Sequence, residues 1–232
     1  MTISRDPLLR TLTVLTLLSG IADAVSYLGL GHVFTANMTG NIVLFGFAAA
    51  QWPGFSGLAS AFSVLGFLIG AVAAGRLAVS WGDKRRWLLA ALVVESTMAA
   101  VCAVIAFVNG TIGTGAARFT VIALLALSMG ARNSTVRRLA VPDMTTTVLT
   151  MTLTGLAADS SLAKGNNPHA GRRIMAVVCM VVGSYVGAVM MRHVNPGWPL
   201  LLWAGLAAAA AIYYALATKG ADQAPTAVPA TP

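Results

Sequence analysis

From Gly57 to Val79 the chain runs through 23 residues in which Arg76 is the one charged side chain. At 1.5 Å per residue a helix of that length reaches about 34 Å, enough to cross a hydrocarbon layer of about 30 Å. A helix that is apolar all round is either the centre of a large core or a membrane span. Five further runs predict the same element: Thr11 to Leu30, Leu88 to Val108, Arg118 to about Arg138, Ile174 to Met191 and Leu200 to Ala217. Apolar residues make up 57% of the chain and charged residues 9%, against about a quarter charged in soluble domains. The fold class is therefore an all-α polytopic membrane protein, in contact with the lipid bilayer. The chain divides into an N-terminal segment 1–10, a first membrane repeat 11–110, a second repeat 111–218 and a tail 219–232. That tail is too rich in Pro, Ala and polar residues to bury enough surface to order itself.

The net charge of +8 does not point to nucleic acid. Its basic residues lie in short connections between spans, where retention of Lys and Arg on the cytoplasmic side places them. Arg5, Arg10, the following apolar run and Ala22-Asp23-Ala24 imitate a secretory signal with an A-x-A cleavage site. An Asp inside the apolar region argues against that reading, as does an internal counterpart near Gly130. Cys102 and Cys179 stand inside apolar runs without a CxxC spacing and read as packing residues.

Two polar stretches interrupt this pattern. Phe34 to Phe47 (FTANMTGNIVLFGF) and Met144 to Gly155 (MTTTVLTMTLTG) are helix-unfriendly, yet each is hemmed in by apolar runs. Polar backbone at membrane depth is tolerated only where protein or a watery cavity covers it. Paired broken elements in two halves point to the binding site of a repeat-built transporter. The expectation is that Asn37, Thr39, Gly40 and Asn41, with Thr145, Thr146, Thr147 and Thr150, line one shared site.

Gly20 and Gly130, Asp23 and Asn133, and Thr35 and Thr145 correspond at a spacing of 110, whereas Gly66-x-x-x-Gly70 and Gly183-x-x-x-Gly187 correspond at 117. Charge placement chooses between two topologies. Eight full spans put Lys84, Arg85 and Arg86 outside, against the positive-inside bias. Six spans with two re-entrant elements put Arg5, Arg10, Lys84 to Arg86, Arg137, Arg138, Arg172, Arg173 and Lys219 together on the cytoplasmic face, with both termini. The six-span arrangement is the expectation, and three spans per half make the repeats inverted. The GxxxG spans offer faces either for packing within the chain or for a homo-oligomer.

Asp23 lies deep in the first span, and an intramembrane acid is a functional-site hypothesis by default, as a proton or cation site or as partner to a base. Asn133, its repeat counterpart, is a polar ligand candidate. Similar depth pairs Glu95 with Arg132 as an intramembrane charge pair. His32 adjoins the first polar element and reads as solvated. No metal-spaced Cys or His cluster, nucleophile elbow, HExxH or phosphate loop is present, so no enzyme, cofactor or metal site is expected.

The stretches GIADAVSYLGLGHVFTANMTGNIVLFGFA and GARNSTVRRLAVPDMTTTVLTMTLTGLA resemble the YoaK-like family of small bacterial multispan inner-membrane proteins, whose function is uncharacterised. Asp23, Phe34 and Asn37-Met38-Thr39-Gly40-Asn41 carry the resemblance. Where the family tends toward Thr-Gly-Thr this chain has Thr150-Met151-Thr152, which implies a less sharp turn there. The resemblance implies a multi-pass inner-membrane location and supplies no substrate. The functional expectation is a secondary transporter or permease for a small solute or ion, with a non-transporting scaffold or accessory subunit as the alternative.

Overall fold

A computed structural model describes residues 6–139, 149–167 and 169–219. They form eight α-helices: α1 (Pro7–Gly29), α2 (Met38–Ala49), α3 (Gly57–Trp81), α4 (Lys84–Asn109), α5 (Gly115–Leu139), α6 (Leu149–Ala158), α7 (Ala170–His193) and α8 (Gly197–Thr218), with one 3-10 turn at Ser161–Ala163. Six are long and apolar enough to cross a membrane, whereas α2 and α6 have 12 and 10 residues. At about 18 and 15 Å these two fall well short of a bilayer core of about 30 Å.

The long helices begin where the local chemistry lets them. Asp6 caps α1 by accepting a hydrogen bond from the Leu8 amide at 2.9 Å, ahead of a proline at the first helical position. Asp83 caps α4 through the Arg85 amide at 2.8 Å. As a result Lys84, Arg85 and Arg86, expected in a loop, form the first turn of α4. Cations at a helix start oppose the macrodipole, and Arg85 turns away from it. Its guanidinium donates to Thr218 Oγ1 at 2.5 Å and to the Ala215 carbonyl at 3.1 Å, in the last turn of α8 where carbonyls lack intrahelical partners.

These end contacts fix directions. Arg10 of α1 reaches Tyr213 of α8 at 3.3 Å, so the starts of α1 and α4 share one end of the bundle with the close of α8. At the other end Arg118, in the first turn of α5, donates to the Leu30 carbonyl at 2.8 Å, just beyond α1. Helices α1 and α5 therefore run in opposite directions.

Packing repeats under the exchange of α1 with α5, α2 with α6, α3 with α7 and α4 with α8. Helix α3 packs along α5 as α7 packs along α1, α4 meets α5 as α8 meets α1, α2 lies on α3 as α6 lies on α7, and α4 and α8 pack on each other. The closest pairs thus join one half to the other. They are parallel and backbone-tight: a Cβ at Gly70 would sit 2.0 Å from the Leu127 carbonyl oxygen, and one at Gly183 would sit 2.0 Å from that of Leu17. Both small-residue faces are filled within the chain.

The register differs from the expected one. Gly70 and Gly183 play the same part 113 positions apart, not 117, so the glycine pairs are offset by one helical turn between halves. Repetition of G-x-x-x-G hides such a slip, because the motif is itself one turn long. Outward faces carry apolar side chains such as Leu65, Ile69, Val104, Val181 and Ile212, each more than half exposed, as a lipid-facing surface requires.

Candidate functional site

The first polar element is held by Asn41. Its Oδ1 accepts from the Phe34 amide at 2.9 Å, and its Nδ2 donates to the Phe34 carbonyl at 2.6 Å and to Ser63 Oγ of α3 at 3.0 Å. A side-chain amide here replaces a backbone partner, which is how a non-helical segment is satisfied without water. Asn37 caps α2 by accepting from the Gly40 amide at 3.2 Å. Gly40 lies against the Phe34 ring, where a Cβ would come within 2.7 Å, and Thr39 is exposed. Across the mouth of the element, His32 Nδ1 meets the Gly54 carbonyl at 3.2 Å and its ring lies 5.8 Å from that of Phe55. The chain thus returns to the end from which it left.

Asn41, expected to contact a ligand, is spent on folding the element. We expect N41L, which leaves the Phe34 amide without a partner while its carbonyl keeps the bond from Ser63 Oγ, to lower stability by about 1–3 kcal/mol. N41D should recover only the bond from the Phe34 amide. Equal unfolding midpoints for N41L and wild type in detergent would refute this role.

In the second half Thr145, Thr146 and Thr147 lie outside the described residues. Thr150 is exposed, and its carbonyl accepts from Thr154 Oγ1 at 2.9 Å within α6. Helix α6 runs unbroken through Thr150-Met151-Thr152, in line with the less sharp turn expected there. Its far end is tied down by Asp159, which accepts from Arg173 of α7 at 2.7 Å.

A separate cluster lies where α1, α4, α5 and α8 meet. Glu95 and Arg132 pair at 2.9 Å, each about 1% exposed. Helix α4 buries Leu88, Leu92, Glu95, Ala99 and Cys102 along one stripe, so its periodicity alone turns the carboxylate inward. Arg132 also donates to the Leu15 carbonyl at 3.2 Å and to Ser19 Oγ at 2.5 Å, and Trp203 Nε1 donates to Glu95 Oε1 at 2.8 Å. The pair expected from depth is present, and Arg132 does not snorkel. Ser19 and Trp203 were not singled out in the sequence. A lone indole N–H in an alanine-rich span was the available signal for Trp203, since a buried Trp finds an acceptor.

One turn beyond Ser19 on α1 stands Asp23, 8% exposed, with Oδ1 lacking a hydrogen-bond partner. Arg132 is a charge whose field reaches it. Asn133, its counterpart, is half-buried and donates from Nδ2 to the Met129 carbonyl of its own helix at 2.9 Å. The structure brings Asp23, Glu95 and Arg132 into one neighbourhood. Asn37 and Asn41 are instead tied to α2 and α3.

Interleaved inverted repeats of membrane-length helices, with charges sealed at the repeat interface, define a multi-pass membrane protein of repeat-built architecture. The chain belongs to the family described as "Protein of unknown function (DUF1275)", whose model matches residues 11–213. It is similar to the UPF0700 transmembrane protein YoaK of Bacillus subtilis (strain 168), with 36% identity over 153 residues. That alignment covers 65% of this chain and 66% of the relative's length, just under two thirds of it. No solved structure matches the chain.

Proposed function

We propose that the chain is a secondary transporter or permease for a small solute or ion in the bacterial inner membrane, working at the interface of its two inverted repeats. The observation that carries this reading is Asp23: a buried carboxylate with an unpartnered oxygen, set on a helix that clamps one half to the other. Glu95 also has one oxygen, Oε2, without a partner, but its Oε1 takes hydrogen bonds from Arg132 and Trp203. Among the described residues the Asp23 carboxylate, by contrast, has no ion pair, which is the position in which a buried acid serves function rather than packing.

In this reading α2 and α6 are re-entrant elements, each resting on a single span and tied to it by side-chain hydrogen bonds. Both termini are cytoplasmic. Arg10, Arg85 and Arg138 gather at one end of the bundle, which supports that orientation.

The test is flux through purified protein in liposomes, screened with inorganic ions, amino acids, sugars and organic cations, for wild type and D23N. At least one solute should move, and D23N should lower its rate at least tenfold while the protein still elutes as a folded species. Absence of Asp23-dependent flux across the panel would favour the non-transporting scaffold. In that case cysteines placed at Asn37 and Thr147 should also resist water-soluble thiol reagents.

A further inference from the structure

We infer that Asp23 is a binding site for one exchangeable proton per chain, and that Glu95 and Arg132 form a fixed pair that takes no part in the exchange. In the carrier reading, on which this role rests, that proton is the coupling ion.

The charge inventory comes first. The buried charged side chains among the described residues are Asp23, Glu95, Arg132 and Arg173. Arg173 stands in the first turn of α7 and is paired with Asp159. Two acids and one base are left inside the bundle. Arg132 gives its two terminal nitrogens to Glu95, Ser19 and the Leu15 carbonyl, and Glu95 Oε1 is held by both Arg132 and Trp203. Glu95 Oε2 and Arg132 Nε have no partner, yet the two groups are in direct ion contact, which Asp23 is not. With that pair neutral as a unit, Asp23 ionised leaves one uncompensated negative charge. A lone charge at that depth is costly, so a cation has to join it.

The choice between a proton and a metal ion follows from the oxygens nearby. A bound sodium ion draws several oxygens, commonly from carbonyls of unwound helix. Here α1 is continuous from Pro7 to Gly29 and α7 from Ala170 to His193, so their mid-helix carbonyls are taken by intrahelical bonds. Ser19 Oγ donates to the Leu15 carbonyl and accepts from Arg132, and Ser26 Oγ donates to the carbonyl of Asp23 itself. A proton needs no such shell, only the free Oδ1.

Among the described residues, the elements around Asp23 offer no competing base besides Glu95, which is paired with Arg132. Helix α7 presents Gly183 and Gly187 to α1, and its ionisable groups are Cys179, the exposed Tyr185 and Arg172, Arg173, Arg192 and His193 near its ends. Helix α8 contributes Tyr213 and Tyr214, at the end of the bundle where α1 begins. From α5 comes Arg132 alone at this level. The second half has Asn133 in place of the acid, which fixes the count at one.

The exchange is simple to balance. A proton from water on one face joins Asp23 Oδ1, the net charge of the three groups rises from minus one to zero, and the same proton leaves to water on the other face.

Infrared difference spectroscopy of wild-type protein in lipid, titrated with acid and base, tests this without knowledge of a substrate. A carboxylic-acid carbonyl band with the amplitude of one group per chain should titrate, vanish in D23N and reappear displaced in D23E. Its midpoint should not move when sodium, lithium or potassium chloride is raised a hundredfold. The inference is overturned if no Asp23-dependent band appears at any pH, or if its midpoint follows sodium. A titrating band without Asp23-dependent solute flux would retain the proton site and remove the carrier reading. Flux without the band would do the reverse.

Discussion

Replacing Glu95 by Gln should destabilise the folded protein by about 3–5 kcal/mol, and so should Arg132→Met, yet the double variant should lose clearly less than the sum. Each single change strands one charge among α1, α4, α5 and α8, where Glu95 and Arg132 are each about 1% exposed. Removing both leaves neutral groups of similar size, so the desolvation cost of the survivor disappears. The arrangement also supplies its own reporter. Trp203 donates to Glu95 Oε1, so its emission should shift in R132M, where the carboxylate loses its counter-charge, and much less in the double variant. Unfolding in mixed micelles, followed by fluorescence, gives the four free energies. Additivity to within about 0.5 kcal/mol would mean that the two groups do not interact.

The second large effect concerns backbone contact. Gly70→Ala and Gly183→Ala should each cost about 1–3 kcal/mol or more, and the two losses should be similar. In both cases the new methyl would overlap a carbonyl oxygen of the partner helix at 2.0 Å, and backbone cannot rotate away as a side chain can. The interfaces are separate, α3 on α5 and α7 on α1, so the double variant should be additive. Gly205→Ala in α8 is the control, because no atom lies within 4 Å of its added carbon. It should be neutral or stabilising by up to about 1 kcal/mol, since alanine is the better helix former. A Gly70→Ala protein as stable as Gly205→Ala would show that the helices are not this close.

Much of this fold was readable in the residues themselves. The six spans follow from runs such as Gly57 to Val79, and the Glu95–Arg132 pair from counting residues to the ends of two helices, because rise per residue converts position to depth. Other features depend on what lies across an interface. Asn41 and Asn37 read as ligand groups by polarity alone. That Asn41 closes on Phe34, seven residues earlier, is a matter of how the chain doubles back, and sequence spacing does not specify it. The start of α4 at Lys84 turned on Asp83, whose carboxylate satisfies the Arg85 and Arg86 amides. Ser19 was passed over because a serine in an apolar run ordinarily bonds its own helix. Here it does so and also accepts from Arg132.

The interleaving of the halves bears on how the chain is made. Helix α3 meets its partner α5 once α4 has emerged, but α1 ends at Gly29 and its partner α7 starts at Ala170, about 140 residues later. At roughly 5–20 residues per second of synthesis, α1 waits on the order of 7–28 seconds. Through that interval it carries an acid, and it has neither the helix that will clamp it nor, until α5 appears, the guanidinium whose field reaches Asp23. The element that is most thoroughly enclosed at the end is thus the one left longest without company. Keeping that helix in place until the fifth of the six long helices has followed becomes part of what the sequence must secure during its own biogenesis.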